Sequence, residues 1–194
     1  MVNREIEVKL PLGIDFTETC RRLERGGAVL ERPRVFEDNL LYDDGALSLT
    51  RAGRILRLRR TSPLPSHPTG EAVLTYKEPV PGAEGRYKVR GEIEVKLEDP
   101  EALDTILRRL GFAVVYRYQK YRRTFRAGRT EVCLDETPIG NFLELEGDRE
   151  AIDALALLLG YSSEQYINVS YRHLHEKACE GTGREPGDML FEGK

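Results

Sequence analysis

The sequence has no tryptophan, and only three cysteines, three histidines and two methionines among its 194 residues. Cys20, Cys133 and Cys179 form no Cys-x-x-Cys pair, which argues against a disulfide framework and against a thiolate zinc site. The opening residues, MVNREIEVKLPLG, lack the apolar core of a signal peptide, and no stretch approaches the ~20 apolar residues of a membrane helix. These absences predict a cytoplasmic protein without a membrane partner.

Neither sign of charge is in marked excess. The chain carries 30 Lys and Arg against 33 Asp and Glu, a net charge of −3. A general nucleic-acid binder is usually clearly basic, so no nucleic-acid partner is predicted. Hydrophobic residues make up 40% of the chain and charged residues 32%, which is typical of one soluble globular domain with its own core.

Short segments that alternate polar and apolar residues dominate the chain and predict strands. Helices are fewer, and capping residues mark two of them: Asp15 or Thr17 for the first and Asp99 for the second. Many short strands joined by turns, with few helices, indicate an α+β fold. The clearest predicted elements are strands over 4–10, 54–60 and 71–79, a hairpin with its tip at 127–129, and a last helix within 162–179.

One strand sequence occurs twice. Glu-Ile-Glu-Val-Lys-Leu occupies residues 5–10 and again residues 92–97, an offset of 87. At the same offset Arg-Arg-Leu recurs at 21–23 and 108–110, so a strand and its helix are repeated together. Two copies are too few for a solenoid. We predict two related halves, about 1–85 and 86–175, that close one antiparallel sheet into a complete or nearly complete barrel.

The charged faces of the predicted strands are sorted by sign. Alternation alone favours a charged face that meets water, as in most amphipathic sheets. Two features favour a lumen instead. The amphipathic helices need the apolar strand faces on the outside, and like charges two residues apart gain nothing on a merely solvated face. Acids dominate at 5, 7, 92, 94, 144 and 146, and bases at 57, 59, 120 and 122.

A lumen lined by both signs of charge predicts a particular ligand chemistry. Clustered carboxylates suit a hard divalent cation such as Mg²⁺ or Mn²⁺. Clustered Arg and Lys suit phosphate oxygens. The two together predict a site for a metal-bridged polyphosphate. Neither GxxxxGK[ST] nor GxGxxG occurs in the sequence, which excludes the phosphate-binding loop and dinucleotide folds.

An ordered series of motifs resembles a known family. Glu5-Ile6-Glu7-Val8-Lys9 matches the ExExK signature of the CYTH superfamily, also called triphosphate tunnel metalloenzymes. The resemblance covers roughly residues 1–175, and the motif spacing is most similar to the class IV adenylate cyclase branch. The supporting motifs are LRLRR at 56–60, LTYKEP at 74–79, RGEIEVKL at 90–97, QKYRR at 119–123, CLDETPIGNFLELEG at 133–147 and SYRHL at 170–174.

The resemblance implies a closed eight-stranded antiparallel barrel, with helices outside and a triphosphate in its charged tunnel. It implies carboxylate ligands to Mg²⁺ or Mn²⁺ from Glu5, Glu7, Asp135, Glu144 and Glu146. It implies substrate contacts from Lys9, Arg57, Arg59, Lys77, Arg90, Lys120 and Arg122, of which Lys9, Arg59 and Lys120 are expected to be catalytic. Glu92 and Glu94 are expected to hold basic neighbours or assist a second metal, and Lys96 has no assigned role.

The resemblance leaves the reaction open. Attack by the ribose 3′-hydroxyl on the α-phosphorus of ATP yields cAMP and pyrophosphate, whereas attack by water hydrolyses inorganic triphosphate, thiamine triphosphate or a nucleotide. A binder of polyphosphate without catalysis is the third alternative. Relatives in this family are often dimers, so a homodimer is possible. Residues 180–194 are poor in hydrophobic residues and predict a flexible tail.

Overall fold

Eight antiparallel strands close into a barrel in the computed structural model, which describes residues 3–13, 15–64, 70–83 and 85–192. The order around the barrel is β1-β5-β4-β3-β2-β6-β7-β8, and β1 closes it by pairing with β5 and β8. The predicted fold is therefore confirmed. The strands are β1 (Asn3–Pro11), β2 (Val29–Asp44), β3 (Ile55–Ser62), β4 (Ala72–Pro79), β5 (Lys88–Leu97), β6 (Phe112–Ala127), β7 (Thr130–Thr137) and β8 (Gly140–Glu146).

The helices lie outside the barrel and begin where their capping residues predict. The Asp15 carboxylate accepts from the Glu18 amide at 3.3 Å, and the Asp99 carboxylate accepts from the Ala102 amide at 2.9 Å. In the described part of the chain, no helix is long and apolar enough to cross a membrane. The helices are α1 (Phe16–Arg25), α2 (Ser48–Arg51), α3 (Pro100–Arg109), α4 (Arg149–Leu158) and α5 (Tyr171–Thr182), with one 3₁₀ turn at Ser163–Gln165.

The two copies of Glu-Ile-Glu-Val-Lys-Leu have different outer faces. Val8 and Leu10 of β1 are fully buried in a core that includes residues of α1 and α4. Ile93 and Val95 of β5 are 42% and 52% exposed. The expectation that helices cover both apolar faces therefore holds only for the first copy. The helix of the second copy, α3, packs Leu107 into a cluster with residues of β2 and β3, and Leu97 is the residue of the second copy that packs against this cluster.

The C-terminal residues differ from the prediction of a flexible tail. Met189 is 1% exposed, and its backbone exchanges hydrogen bonds of 3.0 and 2.9 Å with Arg117 and Gln119 of β6. The Phe191 ring lies 5.1 Å from that of Tyr121. In the described residues, β7 pairs with β6 only from Tyr121 onward. The edge of β6 before Tyr121 is therefore open to pairing with a short apolar segment. Residues 193–194 of that tail and 65–69 of the β3–β4 connection lie outside the described residues.

The last helix is shorter than predicted at its start. Helix α5 begins at Tyr171 because the preceding chain is extended, and Ile167 pairs with Lys9 of β1 through two backbone hydrogen bonds. The Ser170 side chain then accepts from the His173 amide at 3.2 Å and caps the helix. This arrangement places the first turn of α5 beside the barrel interior.

Candidate functional site

A cavity of about 420 Å³ runs through the barrel. Ten basic and seven acidic side chains line it. Eleven of the twelve residues predicted to bind metal or substrate are among them, and Asp135, the twelfth, is fully buried beneath three lining residues, Lys120, Arg122 and Tyr171. The structure therefore brings together residues from six strands that lie far apart in the sequence, which the alternation of strand side chains made predictable.

Lys9 is the centre of one buried ion-pair network. Its Nζ lies 2.7 Å from a Glu7 carboxylate oxygen and 3.1 Å from Glu144, and Lys88 contacts the same Glu7 oxygen at 2.7 Å. Burial opposes ionisation, but Lys88 and Lys9 hold the pKa of Glu7 below its ordinary value. Against the same burial, Glu144 and Glu7 raise the pKa of Lys9. The pair of Glu7 and Lys9 is therefore charged at neutral pH, whereas burial lowers the pKa of Lys88 against the attraction of Glu7.

Asp135 is the centre of a second network. Its carboxylate accepts from Lys120 Nζ at 2.9 Å, from Arg122 in a bidentate pair at 2.7 and 2.6 Å, and from the Tyr171 hydroxyl at 2.7 Å. The Tyr171 ring lies 5.3 Å from Lys9 Nζ and 5.1 Å from Lys120 Nζ. A residue of α5 thus helps to position two of the predicted catalytic lysines.

Arg57 and Arg59 form a third basic group on β3. Arg57 donates to the Tyr118 hydroxyl at 3.3 Å and to Thr75 Oγ1 at 3.2 Å. Glu94 lies 3.7 Å from Arg57 and 3.6 Å from Arg59. The buried Nε atoms of both arginines have no hydrogen-bond partner among the described residues. Unpaired buried donors are costly, so these two favour an acceptor ligand in the lumen.

Glu92 contacts the basic side chain of Lys77, in the same way that Glu94 contacts Arg57 and Arg59. Lys77 Nζ is 2.6 Å from both Glu5 oxygens and 3.1 Å from Glu92. Arg90 donates to the Gly53 carbonyl at 2.8 Å at one end of the cavity. Lys96, at the end of the second copy, leaves the lumen altogether: its side chain is 80% exposed and lies 3.3 Å from Glu71.

Glu146 differs from the other four predicted metal ligands. Burial, Glu5 and Glu131 raise its pKa to about 8, and no basic side chain of the described residues lies within 4.0 Å of it. Crowded carboxylates of this kind suit a divalent cation, which would relieve their repulsion. In the described part of the chain, no three His, Cys, Asp or Glu side chains already converge as a metal site. Glu5, Glu7, Asp135 and Glu144 are held by cations instead.

Sequence reasoning missed Glu37, Lys88, Tyr118 and Tyr171. Lys88 lies two residues before Arg90 on β5, so extending the alternation by one step would have found it. Glu37 and Tyr118 lie on long strands whose inward positions mix polar with apolar residues. Tyr171 lies in the SYRHL motif, but it belongs to a helix, and helical periodicity does not indicate contact with the lumen.

Replacing Glu37 with glutamine is expected to make stability less dependent on pH. Glu37 is buried, but Lys120 and Arg122 lower its pKa to about 2. A depressed pKa in the folded state adds stability above the unfolded value, and that stability is lost as pH falls toward the folded value. Wild type should therefore exceed Glu37→Gln by about 3 kcal/mol at pH 7, and this difference should shrink from about pH 5 downward.

Urea unfolding between pH 7 and pH 3 measures this difference. Glu31→Gln is the matched control, because its side chain lies on the same strand but is 42% exposed. A constant difference between wild type and Glu37→Gln across that range would contradict the prediction.

The closed barrel and its lumen of paired charges define a β-barrel tunnel protein. The CYTH domain model matches residues 3–171, and the chain belongs to that family. A protein of Methanocaldococcus jannaschii named "Putative adenylate cyclase MJ0240" is 29% identical over 147 residues, which cover 75% of this chain and 77% of that protein.

Solved structures share the fold. The PH1819 protein of Pyrococcus horikoshii has a TM-score of 0.70 and 25% identity, covering 90% of this chain and 99% of that one. A protein of Vibrio parahaemolyticus has a TM-score of 0.74 and 20% identity, covering 90% and 98%. The HpAC1 protein of Hippeastrum, described as having a dominant triphosphatase activity, has a TM-score of 0.58 and 18% identity, covering 95% and 97%. The identities of the last two support the fold alone.

Proposed function

We propose that this chain is a divalent-metal-dependent enzyme that acts on a triphosphate-bearing small molecule held in the tunnel. The observation that carries the proposal is the pairing of clustered carboxylates with clustered Lys and Arg inside one lumen. Buried ion pairs of this number contribute little stability and are costly to desolvate. A triphosphate and its cation can replace both partners at once, since phosphate oxygens pair with the bases and the cation with the acids.

The basic residues have a direct role in this proposal. Lys9, Lys120 and Arg122 would bind and orient phosphate oxygens, and Arg57 and Arg59 would direct their free Nε donors at the same chain of phosphates. Preorganised donors of this kind stabilise charge that develops on a leaving phosphate. Glu5, Glu7, Glu144 and Glu146 would hold Mg²⁺ or Mn²⁺, which when bound neutralises phosphate charge.

Formation of cAMP and pyrophosphate from ATP is the first candidate reaction. It is supported by the motif spacing of the class IV adenylate cyclase branch and by the name of the Methanocaldococcus relative. Hydrolysis of a triphosphate is the second candidate. The observation that favours hydrolysis is a set of three arginines, Arg54, Arg90 and Arg172, at one end of the cavity. A neutral nucleoside would gain less binding energy from them than a further phosphate.

One assay separates these alternatives. The purified protein is incubated with ATP, thiamine triphosphate or inorganic triphosphate, each with Mg²⁺ or Mn²⁺, and phosphate, pyrophosphate and cAMP are measured. Equal amounts of cAMP and pyrophosphate support the cyclase, and phosphate release supports the hydrolase. Tight binding without any product would refute catalysis and leave a polyphosphate-binding module.

Glu146→Gln is expected to weaken Mn²⁺ binding by tenfold or more. Glutamine keeps the shape of the side chain but cannot ionise, whereas the Glu146 carboxyl, crowded by Glu5 and Glu131, can give up its proton and bind a cation as a carboxylate. Free Mn²⁺, counted by electron paramagnetic resonance, gives the affinity without an activity assay. Glu164→Gln is the control, because Glu164 is exposed on the 3₁₀ turn. Unchanged Mn²⁺ affinity in Glu146→Gln would remove Glu146 from the metal site.

A further inference from the structure

Three arginines from different elements line one end of the cavity: Arg54, Arg90 and Arg172, here called the arginine rim. Arg54 directly precedes β3, Arg90 is the third residue of β5, and Arg172 lies in the first turn of α5. The strands β3 and β5 both begin at this end of the barrel. The hydrogen bond from Arg90 to the Gly53 carbonyl, 2.8 Å long, fixes two of these segments to each other.

The arginine rim holds the excess positive charge of the cavity. Without it, seven basic and seven acidic side chains line the lumen. In the described residues, no carboxylate lies within 4.0 Å of Arg54 or Arg90, whereas Arg172 pairs with Glu176 at 2.9 Å. The rim therefore has one carboxylate for its three guanidinium groups. Like charges gathered at one opening repel one another unless an anion lies between them.

We infer that the arginine rim is an anion subsite for phosphate groups beyond the third, in a linear chain of four or more phosphates. The inference rests on the proposed function, because the first three phosphates must occupy the lumen. Guanidinium groups present planar pairs of N–H donors that match phosphate oxygens. A longer chain that leaves the lumen at this end reaches the rim, whereas the first three phosphates remain among Lys9, Lys120 and Arg122.

A neutral nucleoside is the competing occupant of this end. Leu41 and Ile55 also line the cavity there, and a base can stack on a guanidinium group. Three guanidinium groups with one carboxylate nevertheless favour an anion, because stacking a neutral base leaves their mutual repulsion in place. The choice between a phosphate and a base is therefore an outcome that the experiment must distinguish.

Isothermal titration calorimetry with inorganic tripolyphosphate, linear tetraphosphate, a longer linear polyphosphate and ATP tests the subsite, in chelator and without metal. The variants are Arg54→Gln alone and Arg54→Gln with Arg172→Gln. Wild type is expected to bind tetraphosphate and the longer chain more tightly than tripolyphosphate. The double variant should lose about fivefold in affinity for the two longer chains and keep tripolyphosphate affinity within about twofold.

Arg51→Gln is the matched control, because Arg51 is an exposed arginine of α2 that does not line the cavity. Thermal melts verify that each variant is folded, and the exposed Arg54 makes the single variant the safer of the two. Equal losses for tripolyphosphate and the longer chains, or no loss for either, would overturn the subsite. A selective loss for ATP would assign the rim to a base instead. If wild type bound no tripolyphosphate even in a repeat titration with Mg²⁺ present, the proposed function would fail, and that result differs from equal binding of short and long chains.

Discussion

Lys9→Met is expected to lower kcat/KM for the triphosphate substrate by about 100-fold or more, whereas Lys96→Met should leave it within about twofold. The two lysines occupy the same position in the repeated Glu-Ile-Glu-Val-Lys-Leu sequence. Lys9 is 2% exposed and contacts Glu7 and Glu144, whereas the Lys96 side chain is 80% exposed. Methionine keeps the unbranched chain up to the Cε atom and removes the ammonium group with its charge and N–H donors, so the loss measures that group.

Steady-state kinetics with the substrate identified by the product assay measures this contrast, and tripolyphosphate titration separates binding from turnover. Lys9→Met should remain folded, because Glu7 keeps Lys88 as a partner and Glu144 keeps Arg122. A Lys9→Met protein with more than half of the wild-type kcat/KM would show that the reaction does not take place beside Lys9 in the lumen.

Asp135→Ala is expected to lower the free energy of unfolding by about 3–5 kcal/mol, the usual cost of leaving buried charges uncompensated. The substitution removes the common acceptor of Lys120, Arg122 and Tyr171, and Asp135 itself is fully buried. Tripolyphosphate should restore part of the stability, since an anion in the lumen takes the place of the lost carboxylate and binds the folded state.

Urea unfolding with and without tripolyphosphate measures both effects. Asp38→Ala is the matched control: Asp38 forms a bidentate pair with Arg117 at 2.8 Å, but the Arg117 side chain is 40% exposed. Removing that surface pair should cost less than about 1 kcal/mol. If Asp135→Ala lost no more stability than Asp38→Ala, the Asp135 network would not be a significant part of the folded state's stability.

Much of the candidate site could be predicted from the sequence because strand geometry is regular. Alternate side chains share a face, so Glu5, Glu7 and Lys9 must point the same way wherever the strand lies. Sorting of acids and bases among such faces indicated a lumen, and the closed barrel confirms it. The partners of each charge could not be predicted. The contact between Lys77 and Glu5, for example, depends on pairing between segments more than 70 residues apart.

Residues outside the strands show where sequence reasoning ended. The Tyr171 hydroxyl reaches Asp135 only because Ile167 pairs with β1 and turns the chain so that α5 begins beside the lumen. The hydrophobic content of the last fifteen residues is low, yet Met189 is buried because β6 offers an unpaired edge there. Local composition carries no record of either contact.

The repeated sequence separates what the amino acids determined from what the tertiary structure decided. By itself, Glu-Ile-Glu-Val-Lys-Leu determined a strand with one charged and one apolar face, and both copies form it. Only the closed barrel decided that the first copy is covered outside and that its charged face is paired inside the lumen. Among the described residues, the second copy pairs with β1 as far as Glu92, and its later residues pair with β4. Ile93, Val95 and Lys96 then meet solvent, because burial depends on neighbouring strands and helices, which six identical residues cannot specify.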